Sequence, residues 1–344
     1  MRRALLIRSG RHVHIPIALR PAAILLVLLS LLIILAFAAL DLGSTPLPAG
    51  ELLRWLAPFI DATRETDAVL LLRWPRVAVA ILGGAMIAAS GHLLQIVSRN
   101  GLADPGLLGI SQGTMAAVVL GAAVLGIPPQ WLAPAGLVGG LATAILVLSL
   151  AYRLASTTGL ILVGLAVSIV LGALIEIVMV QGGMAQFARW LAWSHGSLTA
   201  VSAENARMVA IWALPLIVLT LLVARSATPL LLGREQAAAI GAAPQKLALL
   251  LTLLSAALVA PIVAVVGPIS FLGLIAAHVA RKLVGERPQE ALPVSMACGA
   301  LLLLVADTAG RTLFLPLVVP AGILVSVAGV ATFLIAARFT SSRR

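Results

Sequence analysis

The sequence predicts an all-helical, polytopic membrane protein, and three observations carry that reading. Its mean hydropathy is +1.13 and only 10% of its 344 residues are charged, whereas a soluble domain carries about 25%. Stretches with few or no charges recur along the whole chain, each long enough for a hydrocarbon core that takes about 20 helical residues to cross. The runs are solidly apolar rather than alternating over ~10-residue segments, which argues for helices and against a membrane β-barrel.

Ten spans follow in order, at 21–40, 75–97, 107–126, 131–152, 157–181, 205–225, 244–266, 268–284, 290–308 and 319–337. Before the first lies a basic tail, and Ala36-Phe37-Ala38 has the small-x-small form of a cleavage site. An apolar run of about 20 residues is too long for a signal peptide's core, so this span is expected to stay. The second is expected to begin at Pro75, since proline's missing N–H costs nothing in a helix's first turn. Its Gly83, Gly84, Ala85, Ala88, Ala89, Ser90 and Gly91 make a small-residue face for close packing. The third and eighth each open at a glycine-rich turn, the eighth at Gly267-Pro268. The ninth holds Cys298, the single cysteine, which excludes an intramolecular disulfide and reads as a packing residue. The chain thus divides into a cytoplasmic basic tail at 1–20, one transmembrane domain at 21–338 and a cytoplasmic tail at 339–344.

The net charge of +11 forms no patch with interleaved aromatics, so nucleic acid is not an expected partner. Topology accounts for it: with a cytoplasmic N-terminus, 16 of the 23 Lys and Arg residues fall inside, which puts both termini in the cytoplasm. The only lysines, Lys246 and Lys282, do not follow a glycine, so no Walker A loop is present, and Gly106, Gly109 and Gly113 are spaced unlike a dinucleotide fingerprint. The five histidines are scattered and suggest no metal site. Apart from Glu290 at the first position of the ninth span, Glu176 and Asp307 are the only acids inside the spans, each near a span end; a stand-alone proton-coupled carrier would depend on them.

Four polar passages stand out. "SRNGLADPGLLGISQG", Ser98 to Gly113, is a cytoplasmic turn. "LLLGREQAAAIGAAP", Leu230 to Pro244, is also cytoplasmic, and its alanines between Gly233 and Gly241 read as a helix of about seven residues outside the bilayer. A small-residue face there suits docking by another protein, the alternative being a plain connection. Arg73 and Arg76 flank Pro75 on the outer side, as interfacial anchors or partner contacts. Asp307 and Arg311, at i and i+4 near the outer face, either pair with each other or leave Arg311 to a partner.

Taken in order, "RWPR", "GHLLQIVSRNGLADPGLLGISQG", "LLGREQAAAIG", "VGPISFLGLIAAHVARKLVG" and "ADTAGR…VPAGI" resemble the FecCD/BtuC-like permeases of type II ABC importers, which handle iron-siderophore complexes, haem and cobalamin. The resemblance covers roughly residues 20–338. It implies ten helices per subunit and a permease dimer, formed with an identical copy or a second gene product. It further implies two cytoplasmic ATP-binding subunits that use ATP and Mg, an extracytoplasmic binding protein, and a lipid setting in the bacterial inner membrane. No cofactor would be bound by this chain itself.

Carried over by position, Gly233, Arg234, Glu235, Ala238 and Gly241 resemble the coupling helix that sits on the ATPase. Arg73, Arg76 and Arg311 match outer arginines that meet carboxylates on the binding protein. Thr157 and Thr158 match a cytoplasmic gate. Trp193, Gly196 and Ser197 match an outer tryptophan-x-x-glycine segment beside the pathway, which Glu176 would also face. Gly101, Ala277, Val318 and Ala331 depart from the family pattern, and Val318 removes an outer carboxylate. The expected function is a non-enzymatic permease subunit for a ferric siderophore or related iron chelate. Haem or cobalamin as cargo, and a stand-alone carrier, are the alternatives.

Overall fold

A computed structural model describes residues 4–9, 13–43, 52, 64–152, 157–181, 190–191 and 193–341. The chain opens with an antiparallel ribbon, β1 (Ala4–Ser9) against β2 (Val13–Ala18), within the tail that the sequence marked only as basic. Eleven α-helices follow among the described residues: α1 (Leu19–Asp41), α2 (Arg64–Ser98), α3 (Ile110–Ala123), α4 (Pro129–Tyr152), α5 (Thr157–Gln181), α6 (Ala203–Val223), α7 (Arg234–Ala239), α8 (Pro244–Val266), α9 (Leu272–Val284), α10 (Pro288–Thr312) and α11 (Ala321–Ser341). All but the six-residue α7 correspond to the ten expected spans. Seven are long and apolar enough to cross a membrane by themselves.

Two expectations are corrected. Helix α2 starts at Arg64, so Pro75 lies inside it rather than at its start. Residues 64–74, "RETDAVLLLRW", are mostly good helix formers with acids in the first turn, and they extend the helix past the cue that proline supplied. At 35 residues α2 is about 50 Å long and must project beyond a ~30 Å hydrocarbon core.

The third and eighth spans, drawn at 107–126 and 268–284, are shorter helices than drawn. With 14 and 13 residues, α3 and α9 reach only about 20 Å. The remaining depth is irregular backbone, which a bilayer tolerates only where protein or a water-filled cavity covers it. In front of α3, the Asp104 side chain accepts from the Gly106 N–H (2.9 Å) and starts a 3-10 turn, Pro105–Leu108. In front of α9, residues 267–271 run from Gly267, at φ 86°, to Phe271, held at φ 65°.

Burial ranks the helices. In the most apolar windows of α2, α10 and α8, 78%, 72% and 67% of residues are buried, against 11%, 17% and 22% in α1, α5 and α6. The first three form the inner layer, and the others expose apolar faces as lipid-facing or subunit-facing helices do. Helix α2 packs along α10, α8, α6 and α9, and its small residues permit this. A Cβ on Gly84 would lie 2.8 Å from the Ala300 Cα, and one on Gly91 2.7 Å from the Gly273 Cα, so larger side chains would push α10 and α9 away. Between α2 and α8, the Ser90 and Ser255 hydroxyls lie 2.5 Å apart and Ser90 also donates to the Ser255 carbonyl, satisfying both inside the apolar layer.

Candidate functional site

In the N-terminal half of α2, that helix meets α1 and α10 in an arginine cluster. The last carbonyls of α1 have no intrahelical partner, and two guanidinium groups supply one. Arg73 donates to the carbonyls of Leu40 (2.9 Å) and Asp41 (2.7 Å), and Arg311 to those of Leu42 (2.5 Å) and Ala39. Arg76 pairs with Asp307 at 2.7 Å, and the Arg311 Nε lies 3.6 Å from the other carboxylate oxygen. Arg73 and Arg311 are only 8% exposed and Asp307 3%. The structure therefore brings the three sequence-predicted arginines together but directs them into the chain. The i, i+4 pairing of Asp307 with Arg311 is one part of a larger clamp. Glu176 stands elsewhere, on an exposed face of α5 among Ile177 and Val180.

The segment from Trp190 to Val201 is bound to the break before α9. The Trp190 and Trp193 rings pack edge-to-face with centroids 5.6 Å apart. The Gly196 N–H donates to the Trp193 carbonyl (3.0 Å), the Gly196 carbonyl accepts from the N–H of Gly322 (3.0 Å), and the Ser197 N–H donates to Val266 (2.8 Å). Gly196 sits at φ 72°, where a Cβ would lie 2.7 Å from the Pro268 carbonyl. Trp193, Gly196 and Ser197 thus join α8, the start of α9 and the start of α11 at one junction. Thr157 opens α5, but the side chains of Thr157 and Thr158 fall outside the described residues.

Near the C-terminal end of α2, a 3-10 turn (Thr228–Leu232) leads through Gly233, at φ 104°, into α7. Helix α7 buries Ala237 and leaves Arg234, Glu235, Ala238 and the following Ile240 and Gly241 exposed. Gly233 itself is buried, and a Cβ there would lie 2.9 Å from an Arg99 guanidinium nitrogen. The 99–109 loop therefore touches the entrance to α7.

From there the loop reaches inward. Burial pushes the Asp104 carboxyl up to about 6, opposed by the backbone N–H groups of Gly106 and Phe271. Its Oδ2 is buried with no hydrogen-bond partner. A Cβ on Gly329 of α11 would in turn meet the Phe271 ring. Asp104, Phe271 and Gly329 thus connect the 99–109 loop to the break before α9 and to α11.

His92 of α2 and His278 of α9, two of the histidines scattered in the sequence, both line one cavity of about 530 Å³ bordered by α2, α9 and the turn before α7, with Gly101 and Leu231 also in its wall. The signal was in the spacing: His92 and Gln95 fall at i and i+3 with Arg99 in the turn that follows, and His278, Arg281 and Lys282 fall at i, i+3 and i+4 on one helix face.

Residues 31–339 match the model of the FecCD transport family. The chain is 34% identical to an iron(3+)-hydroxamate import system permease protein of Bacillus subtilis, over 92% of this chain and 96% of that one. It is also 34% identical to a hemin transport system permease protein of Yersinia pestis, over 92% and 95%. A solved structure of an inward-facing, metal-chelate type ABC transporter superimposes with a TM-score of 0.81 at 28% identity, covering 92% of this chain and 99% of that one.

Proposed function

The chain belongs to the FecCD transport family, and from that membership we propose that it is the permease subunit of an ATP-binding cassette importer whose cargo is a ferric siderophore or related iron chelate. The observation that carries this reading is the match of nearly the whole chain to permeases of ferric-chelate and hemin systems. It displaces the stand-alone carrier. The geometry agrees, since Asp307 is tied to Arg76 and Arg311 instead of standing free for proton exchange.

In this reading two permease subunits, identical or from two genes, enclose the pathway, with both termini in the cytoplasm of a bacterial inner membrane. Two cytoplasmic ATP-binding subunits bind ATP and Mg and press on α7, which offers Arg234, Glu235, Ala238 and Gly241. Motion at α7 passes through Gly233 and Arg99 to the 99–109 loop, through Asp104 to Phe271, and so to the junction at Gly196 and Gly322. An extracytoplasmic binding protein delivers the chelate, and Arg73, Arg76 and Arg311 hold the outer surface it lands on in shape. Thr157 and Thr158 flank the inner exit, and Trp193 and Glu176 stand beside the pathway.

The test is uptake of radiolabelled iron by cells lacking and regaining the chain, with ferric hydroxamate, ferric citrate and haem as separate sources. Chain-dependent uptake of one source that stops when the cognate ATPase is inactivated supports the reading. Uptake that persists without any ATPase overturns it. The hemin permease relative makes haem the second cargo to score.

A further inference from the structure

The cavity beside the turn that leads into α7 is cationic and holds unpartnered polar atoms. Arg99, Arg281 and Lys282 face it with Glu286 as the one acid, and the Arg281 guanidinium is held by the Gln95 side-chain oxygen. Among the described residues, none of these three cations forms an ion pair. His92 is only 1% exposed, yet its Nδ1 has no hydrogen-bond partner, and the same holds for the buried Nε2 of His278. Buried polar atoms are nearly always satisfied, so two orphan ring nitrogens in one cavity call for a polar partner, and the three surrounding cations select an anionic one. Arg99 adds a backbone observation. Its φ is 50°, a left-handed conformation rare for a residue with a Cβ, and it holds the guanidinium at the rim beside Gly233.

The lining comes from α2, α9, the turn before α7 and the flanking loops, and from none of α1, α4, α5 and α6, whose apolar faces are exposed. A cytoplasmic partner that covers α7 reaches such a cavity more directly than a lipid does. We propose that this cavity is a socket for a carboxylate-bearing side chain, Asp or Glu, of the cytoplasmic ATPase subunit, seated between Arg99 and Lys282 with the two histidines beneath. The inference rests on the reading that the chain works with such an ATPase. The socket gives α7 a second, charge-dependent attachment point and links the partner directly to α2 and α9.

The test uses the whole chain co-expressed with its cognate ATPase and measures the apparent affinity of the purified subunits at low and high salt. Arg99 and Lys282 are exposed rim residues, so Arg99→Glu with Lys282→Glu is expected to leave the fold intact, which the melting temperature checks. The expected result is about a tenfold loss of affinity at low salt, shrinking as salt rises. Arg99→Lys with Lys282→Arg should bind as wild type, while Ala238→Trp on the exposed face of α7 should weaken binding at every salt concentration. Wild-type affinity and salt dependence in the charge-reversed chain overturn the socket alone. Loss of bound anionic phospholipid from that chain, seen by mass spectrometry with ATPase binding unchanged, also overturns it, in favour of a lipid site. A wild-type chain that retains no ATPase overturns the permease reading, and the socket with it.

Discussion

The N-terminal and C-terminal parts of α2 each gather three long cationic side chains, and the two clusters are built in opposite ways. In the N-terminal part, Arg73 and Arg311 donate to carbonyls of α1, and Asp307 sits between Arg76 and Arg311. At the C-terminal end, Arg99, Arg281 and Lys282 stand around a cavity without forming an ion pair among the described residues. The same residue type at a helix end serves as a clamp in one place and as an open receptor in the other. The difference lies in whether the chain itself supplies the acceptors.

If that distinction is right, the largest effect comes from removing the carboxylate of the clamp. Asp307→Ala leaves the half-buried Arg76 and the buried Arg311 without their anion and should destabilise the chain by about 3 kcal/mol, read as a lowered melting temperature in detergent. A normal melting temperature would break the comparison. Arg73→Met keeps much of the side-chain volume but leaves two α1 carbonyls without their charged donor, and should cost about 2 kcal/mol. Hydrogen exchange at the end of α1 should rise with it.

Asp104 sharpens the comparison from the anionic side, since it is a carboxyl held in the protein without a cation. Its folded value of about 6 lies above the ordinary 3.8. Between those values the folded chain keeps a proton that the unfolded chain has lost. Stability is therefore full below the lower value and falls as pH rises through the upper one. Asp104→Asn keeps an acceptor for the Gly106 N–H and should flatten that pH dependence of melting. The smallest effect is expected at the open cluster, where Arg99→Ala and Lys282→Ala should each change stability by less than about 0.5 kcal/mol. A larger loss would make the open cluster a second clamp.

Much of the fold was legible because apolar length and glycine punctuation are local signals. The ten spans, the short helix between Gly233 and Gly241 and the weakness of the third and eighth spans all came from such cues. Pro75 misled because a proline that can start a helix can also sit within one when the residues before it favour helix. The arginine clamp was legible only in its local part, Asp307 with Arg311; nothing in the sequence ties Arg73 to carbonyls more than 30 residues earlier. The cavity escaped for the same reason. His92 and His278 each lie on a patterned face, but the two faces meet through contacts distant in sequence, such as Gly91 with Gly273 and Gln95 with Arg281.

The packing of α9 against α2 also bears on how the chain enters the membrane. A helix of 13 residues ending in Arg281 and Lys282 is too short and too charged to partition as an independent segment. Helix α9 packs on α2 and α10, so it reaches its final depth only once they are there to receive it. For this chain, biogenesis has an order: the early-synthesised α2 is the berth, and the later α9 docks into it.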